Sequence, residues 1–294
     1  MTTILVTGAS GQLGSEIKEL STRYGGYEFI FTDAAELDIT DPAVTAAFVS
    51  DARPSWIINC AAYTAVDQAE GEENLATLVN GRGVENLVNA IRGTGCRLIQ
   101  ISTDYLFDGN KPVPYTEDDT PSPASAYGRS KLAGEMAAMQ WPNTMIIRTS
   151  WLYSSYGNNF VKTILRKAGS SPDISVVFDQ AGSPTYAADL AATITEIVSG
   201  VIRNRHSFVP GIFNYSNEGV CSWYDLACEI VREAGSSSKV FPVRSSAWPS
   251  RVKRPAYSVL DKTRIKETYN ISIPHWRSSL INCKIGRASC RERG

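Results

Sequence analysis

Short apolar runs alternate with amphipathic segments along the first half of the chain. The runs have the length of strands and are TILVTG, EFIFTD, WIINCAA, RLIQIST and TMIIRTS, at 3–8, 28–33, 56–62, 97–103 and 144–150. Helical spacing separates them over 12–23, 42–52, 74–93 and 126–140. Continuous apolar strands between helices are typical of a parallel sheet covered on both faces. The pattern therefore predicts a Rossmann-type, doubly wound α/β fold, with ligands at the carboxyl ends of the strands.

After residue 150 the pattern is more mixed. Helices are predicted over 158–169, 187–201 and 222–235, and strands over 174–179 and 211–216. We expect a first domain over 1–150, with segments from about 185–216 returning to its sheet, and a smaller α/β domain over 151–282. Residues 283–294 carry four basic residues against one acidic residue and no helical period. We interpret them as a non-native tail.

The composition narrows the classes of function. The chain has 294 residues, of which 43% are hydrophobic, and its net charge of −1 gives no positive field for nucleic acid or a membrane surface. The apolar runs are far shorter than the roughly 20 residues of a membrane-spanning helix. Six scattered cysteines and two histidines supply no zinc ligands at a recognised spacing. We therefore expect a cytoplasmic protein with reduced thiols, no nucleic-acid or membrane partner, and no assignable metal site.

A glycine-rich loop follows the first predicted strand and opens the first predicted helix. The stretch VTGASGQLG places Gly8, Gly11 and Gly14 as G-x-x-G-x-x-G. Such glycines allow a tight turn, close approach of the backbone to a pyrophosphate, and packing of helix on strand. The free N–H groups at the helix N-terminus then face the phosphates. We expect the same loop to bind a dinucleotide through further residues, namely Ser10, Gln12 and Leu13.

An acidic residue, Asp33, follows about 19 residues after the last glycine, at the end of the second predicted strand. Its carboxylate can accept hydrogen bonds from the hydroxyls of an adenosine ribose, and its charge would repel a 2′-phosphate. TDAAEL offers no neighbouring arginine for that phosphate, so the residues favour NAD(H) over NADP(H). Asp38 has two interpretations: it reaches the adenine amine, or it caps a turn before Thr40. Ile39 is placed beside it in the cofactor site.

The stretch SAYGRSKLAGE carries a tyrosine four residues before a lysine, so Tyr127 and Lys131 share one face of a predicted helix. An ammonium beside a phenol of pKa about 10 favours the phenolate, which makes the phenol a usable acid near neutral pH. Alone, the spacing is more typical of an ordinary exposed helix pair. The glycine loop upstream is what favours a catalytic pair.

With the glycine loop and Tyr127-x-x-x-Lys131 together, the chain resembles the extended short-chain dehydrogenase/reductase superfamily. Further stretches are similar to the signatures of the dTDP-4-dehydrorhamnose reductases: CAAYTAVDQAE, ISTDYLFDG, TSWLYSSYGNNFVKT, DQAGSPTYAADLA and KRPAYSVLD. The resemblance extends from the first strand to about residue 282. It implies that NADPH or NADH reduces the C4 ketone of dTDP-4-dehydro-L-rhamnose to dTDP-L-rhamnose, a precursor of cell-surface polysaccharide.

The resemblance also implies roles for individual residues. Tyr127 is expected to donate the proton, Lys131 to hold Tyr127 and the nicotinamide ribose, and Thr103 to polarise the ketone. Tyr105 and Trp151 are expected against the sugar. The cofactor is expected along Ala61, Ala62 and Tyr63.

Other residues are less firmly placed by the resemblance. Relatives hold the nucleotide diphosphate with an arginine at Arg254, and arginine suits bidentate phosphate contact, but a solvated loop charge is equally consistent with the sequence. Arg82 stands where relatives have small or neutral residues and has no assigned role. Some relatives dimerise through Mg²⁺ held by carboxylates, one of them at Glu16. The other ligands cannot be located here, so Mg²⁺ is assigned to no residue and a homodimer stays open.

Alternatives remain open at this level. Another nucleotide-sugar 4-ketoreductase or an epimerase would share the Tyr–Lys pair. A non-catalytic NAD(P)-binding subunit that regulates a partner enzyme would tolerate loss of the catalytic groups, whereas all three are intact. Nucleotide-sugar 4,6-dehydratases follow the catalytic threonine with Asp-Glu. Here Thr103-Asp104 is followed by Tyr105, which favours simple reduction.

Overall fold

The computed structural model describes residues 2–247 and 252–283. Its central sheet has six strands: β1 (Thr2–Thr7), β2 (Tyr27–Thr32), β3 (Trp56–Asn59), β4 (Arg97–Thr103), β5 (Thr144–Thr149) and β10 (Gly211–Asn214). All neighbouring strands in this sheet are parallel, in the order β2-β1-β3-β4-β5-β10. The direction of winding reverses between β1 and β3. Ligands of doubly wound folds bind at such a switch point, outside the carboxyl ends of the strands.

The described residues also form helices: α1 (Gln12–Ser21), α2 (Pro42–Ala52), α3 (Val66–Ala69), α4 (Glu73–Thr77), α5 (Gly83–Ile91), α6 (Ala126–Ala138), α7 (Phe160–Ala168), α8 (Ala187–Ile202), α9 (Trp223–Glu233), α10 (Thr263–Tyr269) and α11 (Trp276–Asn282). Alternation along the strands divides the core into two layers. Ile4 and Val6 of β1 pack with α1, α8 and α10 on one face, whereas Leu5 packs with α2, α5 and α6 on the other. Each such buried side chain contributes roughly 1.5–3 kcal/mol of hydrophobic free energy, which ties the sheet to both layers.

A second hydrophobic core lies in the later part of the chain. It is built by α7, α9, α11 and a parallel pair of strands, β7 (Asp173–Val177) and β12 (Lys239–Val243). Two further pairs are β6 (Leu152–Tyr153) with β9 (Thr185–Tyr186), and β8 (Ala181–Gly182) with β11 (Cys221–Ser222). Meanwhile α8 and β10 belong to the core of the first sheet. The predicted fold class, a doubly wound parallel sheet with a smaller α/β unit, is confirmed.

The structure differs from the sequence-based prediction in several elements. The third strand ends at Asn59, so that residues 60–62 leave the sheet at its carboxyl edge. The helix predicted over 74–93 is interrupted by a π-helical turn at Leu78–Arg82. Neither β12, which contains Pro242, nor the seven-residue α10 was predicted. The predicted non-native tail lies outside the described residues except for Cys283.

None of the helices in the described ranges combines the length and the apolar character that crossing a bilayer requires.

Candidate active site

The glycine loop closes tightly against the loop that follows β3. Gly8 has a φ of +64°, which side-chain-bearing residues rarely adopt. A Cβ on Gly8 would lie 2.6 Å from the backbone nitrogen of Ala61, and one on Gly14 would lie 2.3 Å from the Gly8 carbonyl oxygen. The first turn of α1 has Gly11 at its N-cap and no capping side chain. Its N–H groups therefore remain available to an anion, as a pyrophosphate requires.

The acidic residue after β2 is bound to the same loop. Both carboxylate oxygens of Asp33 accept a hydrogen bond from the Ser10 backbone N–H, at 3.0 and 3.1 Å, and the Ser10 hydroxyl donates at 2.5 Å. Asp33 lines the cleft beside the glycines. The Asp33 carboxylate is thus fixed against the glycine loop.

Asp38 and Ile39 are placed differently. The Asp38 carboxylate accepts from the Thr40 N–H at 2.9 Å and the Thr40 hydroxyl at 2.7 Å, which is the turn-capping arrangement. Ile39 packs in the core between the sheet and α5. Neither is among the described residues that line the cleft. Their contact with a cofactor stays a prediction.

A cleft of about 690 Å³ lies at the switch point. It collects side chains and backbone from the carboxyl ends of β1, β2, β3, β4 and β5 and from α6. The predicted site residues in its lining are Gly8, Gly11, Gln12, Leu13, Gly14, Asp33, Ala61, Ala62, Thr103, Tyr105, Tyr127, Lys131 and Trp151. Three more predicted residues, Ser10, Tyr63 and Arg254, lie behind or beside this lining.

Thr103, Tyr127 and Lys131 converge in the cleft. Thr103 is the last residue of β4, and Tyr127 and Lys131 stand one turn apart at the start of α6. All three are buried, with Lys131 only 4% exposed. The Thr103 side chain lies close enough to the Tyr127 phenol to influence its pKa. The Lys131 ammonium donates to the carbonyl oxygen of Ile101 at 2.7 Å, which holds it against β4.

Burial dominates the electrostatics of this group. It raises the pKa of the Tyr127 phenol above its ordinary value, and the Thr103 side chain opposes the shift. Burial also lowers the pKa of Lys131 to about 8, opposed by the charge of Glu135. The Lys131 ammonium is not among the groups that shift the Tyr127 pKa here, because it is held against Ile101. That it favours the phenolate stays a prediction. Lys131 still carries its charge at neutral pH.

A buried carboxyl lies next to the predicted catalytic threonine. Asp104 is 2% exposed, and its Oδ1 accepts from the Thr103 hydroxyl at 3.3 Å. Burial raises its pKa to about 6, opposed by the hydroxyls of Ser258 and Thr103. Asp104 also lines the cleft. Composition and motif spacing did not predict its raised pKa, because that pKa depends on packing by residues distant in sequence.

Arg254 connects the cleft with a second cavity. Its guanidinium donates to the Tyr105 hydroxyl at 3.1 Å and to Asp67 Oδ2 at 2.6 Å. Arg254 also lines a cavity of about 610 Å³. That cavity is further lined by aromatic, basic and hydroxyl side chains, including Phe160, Thr163, Lys167, Ser175, Trp223, Ser245 and Lys253. Arg254 is thus anchored by protein groups and is not a freely solvated loop charge.

Trp151 lies between the two spaces. Its φ is +47°, a left-handed conformation that costs a bulky residue roughly 1–3 kcal/mol. Its indole stacks on Trp223, with ring centroids 3.5 Å apart. Trp223 was not predicted as a site residue, since the contact joins the segment between β5 and β6 to the start of α9, far apart in sequence.

Several supporting residues hold the lining in place. The Asn80 side chain accepts from the Tyr63 N–H at 2.9 Å and donates to the Tyr63 carbonyl at 3.0 Å and to Ser130 Oγ at 2.9 Å. It thereby fixes the loop after β3 on α6.

Arg82, which had no assigned role, forms an exposed ion pair with Glu85 at 2.7 Å.

The described residues contain no group of three or more His, Cys, Asp or Glu residues that could hold a metal ion. Glu16 is 4% exposed and accepts from the Ser154 hydroxyl at 2.6 Å, while burial raises its pKa. Mg²⁺ is therefore assigned to no residue.

The fold and the cleft define a dinucleotide-binding α/β protein of the short-chain dehydrogenase/reductase kind. The family model described as "RmlD substrate binding domain" matches residues 1–285. The chain belongs to this family.

Individual proteins of this kind are similar over nearly the whole chain. A dTDP-4-dehydrorhamnose reductase from Aggregatibacter actinomycetemcomitans is 39% identical over 291 residues, which are 97% of this chain and 99% of that protein. The crystal structure of dTDP-4-dehydrorhamnose reductase from Bacillus anthracis in complex with NADP superposes with a TM-score of 0.91 at 38% identity, covering 97% and 99% of the two chains. A probable dTDP-4,6-dihydroxy-2-methyloxan-3-one 4-ketoreductase from Streptomyces antibioticus is 38% identical over 94% of this chain and 92% of its own.

Proposed function

We propose that this protein catalyses the NAD(P)H-dependent reduction of the C4 ketone of dTDP-4-dehydro-L-rhamnose, which yields dTDP-L-rhamnose for polysaccharide precursors. The observation that carries the proposal is the convergence of Thr103, Tyr127 and Lys131 in one cleft with the glycine loop and Asp33. The names of the similar proteins support the same reaction.

The residues of the cleft have different roles in the proposed ketone reduction. A bound reduced nicotinamide supplies a hydride. The Thr103 hydroxyl and the Tyr127 phenol donate hydrogen bonds to the ketone oxygen, where negative charge develops. Tyr127 then transfers its proton to that oxygen. The Lys131 ammonium stabilises the resulting phenolate, a buried charge that needs a cation nearby.

The cofactor fits the residues present. Gly8 and Gly14 leave no room for a Cβ, and the uncapped start of α1 presents N–H groups for a pyrophosphate. The cofactor is a nicotinamide dinucleotide, and the relative with bound NADP supports this class. Asp33, fixed by Ser10, disfavours a 2′-phosphate, so NADH is the form that this chain favours.

The substrate spans both spaces in this proposal. Residues 1–150, with segments from about 185–216, hold the cofactor, and 151–282 hold most of the nucleotide. The sugar lies in the cleft against Tyr105 and Trp151. The nucleotide enters the second cavity, where Arg254 meets the diphosphate, because guanidinium groups bind phosphate oxygens in pairs. The homodimer and the cytoplasmic location remain predictions from sequence.

A second candidate is another dTDP-sugar 4-ketoreductase, which the similarity to the Streptomyces antibioticus protein favours.

The experiment that tests the proposed function measures oxidation of NADH and NADPH by absorbance, with dTDP-4-dehydro-L-rhamnose and with other dTDP-4-ketosugars. We expect the rhamnose precursor to have the highest kcat/KM and the product to be dTDP-L-rhamnose. Turnover only of another ketosugar would support the second candidate. A product with an inverted centre and no net oxidation would support an epimerase, and binding without turnover a regulatory subunit.

A further inference from the structure

Two stacked tryptophans separate the cleft from the second cavity. The ring centroids of Trp151 and Trp223 are 3.5 Å apart, and the ring planes differ by 8°. Trp151 lines the cleft, whereas Trp223 lines the second cavity. A displacement of either ring would therefore change the lining of both the cleft and the second cavity.

The other support of Trp151 is a glycine. A Cβ on Gly182 would lie 2.5, 2.7 and 2.9 Å from Cε2, Cζ2 and Nε1 of the Trp151 indole. Gly182 pairs with Cys221 in the short β8–β11 ladder and does not have a positive φ. Its backbone conformation therefore does not demand glycine. The close approach of the indole is the constraint at this position.

Trp223 is itself held firmly. It is the first residue of α9, directly after the N-cap Ser222. The Ser222 hydroxyl accepts from the Asp225 N–H at 3.0 Å, and the Asp225 carboxylate accepts from the Ser222 N–H at 2.9 Å. Phe160 packs against the Trp223 ring at a centroid distance of 4.6 Å. The capping box and the aromatic contact make Trp223 a fixed platform for Trp151.

We propose that Gly182 and Trp223 are positioning residues that set the orientation of Trp151 against the sugar, and that Trp223 transmits occupancy of the second cavity to the sugar site. This inference rests on the proposed function, in which the nucleotide occupies the second cavity and the sugar occupies the cleft. It predicts that both residues act on the affinity for the ketosugar and leave the affinity for the cofactor unchanged.

The first experiment needs no substrate. Two indoles stacked this closely couple their electronic transitions, and the full-length protein should show the resulting paired bands in circular dichroism. We expect Trp151→Phe and Trp223→Phe each to abolish the same bands. Trp141→Phe is the matched control, because Trp141 lies in a different core and donates to the Cys96 carbonyl. Bands that survive Trp223→Phe, or that Trp141→Phe removes equally, would overturn the inference.

The second experiment separates binding of the sugar from binding of the cofactor. We expect Gly182→Ala and Trp223→Leu to raise the KM for the ketosugar about two- to tenfold, the range of one aromatic contact, with an unchanged Kd for NADH. Trp223→Phe should restore part of the affinity. Gly95→Ala is the matched control, since a Cβ on Gly95 meets nothing within 4 Å. Wild-type KM in both folded variants would contradict the positioning role.

Titration with dTDP tests the transmission without turnover. We expect dTDP to change the coupled bands of the wild type and of Gly95→Ala. If the protein reduces no ketosugar but dTDP changes the bands, the proposed reaction fails and the link between the cavities stands. Bands that saturating dTDP leaves unchanged, although it binds, would overturn the link.

Discussion

Tyr127 stands in surroundings that favour its protonated form. Burial raises the pKa of the phenol, so in the proposed mechanism the proton stays on Tyr127 until charge develops on the ketone oxygen. The phenolate left after transfer would be costly in this setting without a cation. Lys131, which now donates to the Ile101 carbonyl, is the buried cation one helical turn away. The acid and its counter-charge are therefore both within the cleft before any substrate binds.

Replacement of Tyr127 by phenylalanine tests the proton transfer. Tyr127→Phe keeps the ring that packs edge-on against Tyr105, at 5.6 Å between centroids, and removes only the hydroxyl. We expect kcat to fall roughly 100- to 10,000-fold, the usual contribution of general acid catalysis, while the Kd for NADH is unchanged. Steady-state kinetics measures kcat, and fluorescence titration measures the Kd for NADH. Tyr24→Phe, at a hydroxyl bonded to Thr195, is the control. Near-normal turnover would remove Tyr127 from the mechanism.

The raised pKa of Asp104 makes a prediction about stability and pH. Its folded pKa of about 6 exceeds the ordinary value of 3.8, so the folded state holds a proton that the unfolded state has lost between these pH values. Stability therefore decreases as pH rises through this window, and the buried charge is a cost above it. Relative to the wild type, Asp104→Asn should gain about 2–3 kcal/mol more at pH 8 than at pH 4. Urea unfolding at both pH values measures this difference.

Asp108 provides a control of opposite sign. Hydrogen bonds from Asn110 and Tyr115 hold its pKa below the ordinary range, so its carboxylate stabilises the fold at neutral pH. Asp108→Asn should lose stability relative to the wild type at pH 8. If Asp104→Asn showed the same pH dependence as the wild type, Asp104 would not be the buried acid that its surroundings indicate.

The site residues differ in how far sequence alone could locate them. Gly8, Asp33 and Tyr127 belong to local motifs whose spacing predicts their place at strand and helix ends, and the cleft brings them together. Trp223 and Gly182 have no such motif. Their importance comes from contacts with Trp151, from which Trp223 is 72 residues and Gly182 is 31 residues distant in sequence. Only the folded chain reveals such packing.

At the scale of elements, α6 lies unusually close to the π-helical turn at Leu78–Arg82. A Cβ on Gly134 of α6 would be 2.1 Å from the Asn80 carbonyl oxygen. The turn widens the helix at the point where α6 crosses it, and the Asn80 side chain then reaches Tyr63 and Ser130. Helical periodicity over 74–93 predicted one helix. The interruption was not predictable, because it depends on which face of the helix meets Gly134.

Gly134→Ala tests this contact. Helix propensity alone would stabilise α6 by about 1 kcal/mol on this change. The added methyl group meets backbone that cannot rotate away, so we expect a net loss of about 1–3 kcal/mol instead. The midpoint of urea unfolding shows whether the change stabilises or destabilises the protein. Gly95→Ala, where the Cβ has open space, should not lose stability. A more stable Gly134→Ala protein would show that the helices can separate freely.

At the scale of the whole molecule, α1 joins the cofactor cleft to the later part of the chain. Its residues Gln12, Glu16 and Glu19 accept hydrogen bonds from Asn159, Ser154 and Tyr156, at 3.0, 2.6 and 2.9 Å. Leu13 and Ile17 of α1 pack in the same core as α8, which belongs to the first sheet. The helix whose N-terminus faces the cleft thus contacts both the first core and the segment that leads into α7.

This arrangement predicts how the cofactor affects unfolding. NADH at about 100 times its Kd should stabilise the folded protein by about 2.7 kcal/mol, because it binds only the folded cleft. Since α1 links the two parts, we expect one calorimetric transition that moves upward as a whole. Nicotinamide alone lacks the pyrophosphate and adenosine groups that the glycine loop and Asp33 address, so it is the control ligand and should move the transition little. Two transitions, of which NADH shifts only the first, would show that the second core unfolds independently. The contacts of α1 with Ser154 and Asn159 would then not couple the cofactor cleft to the second core.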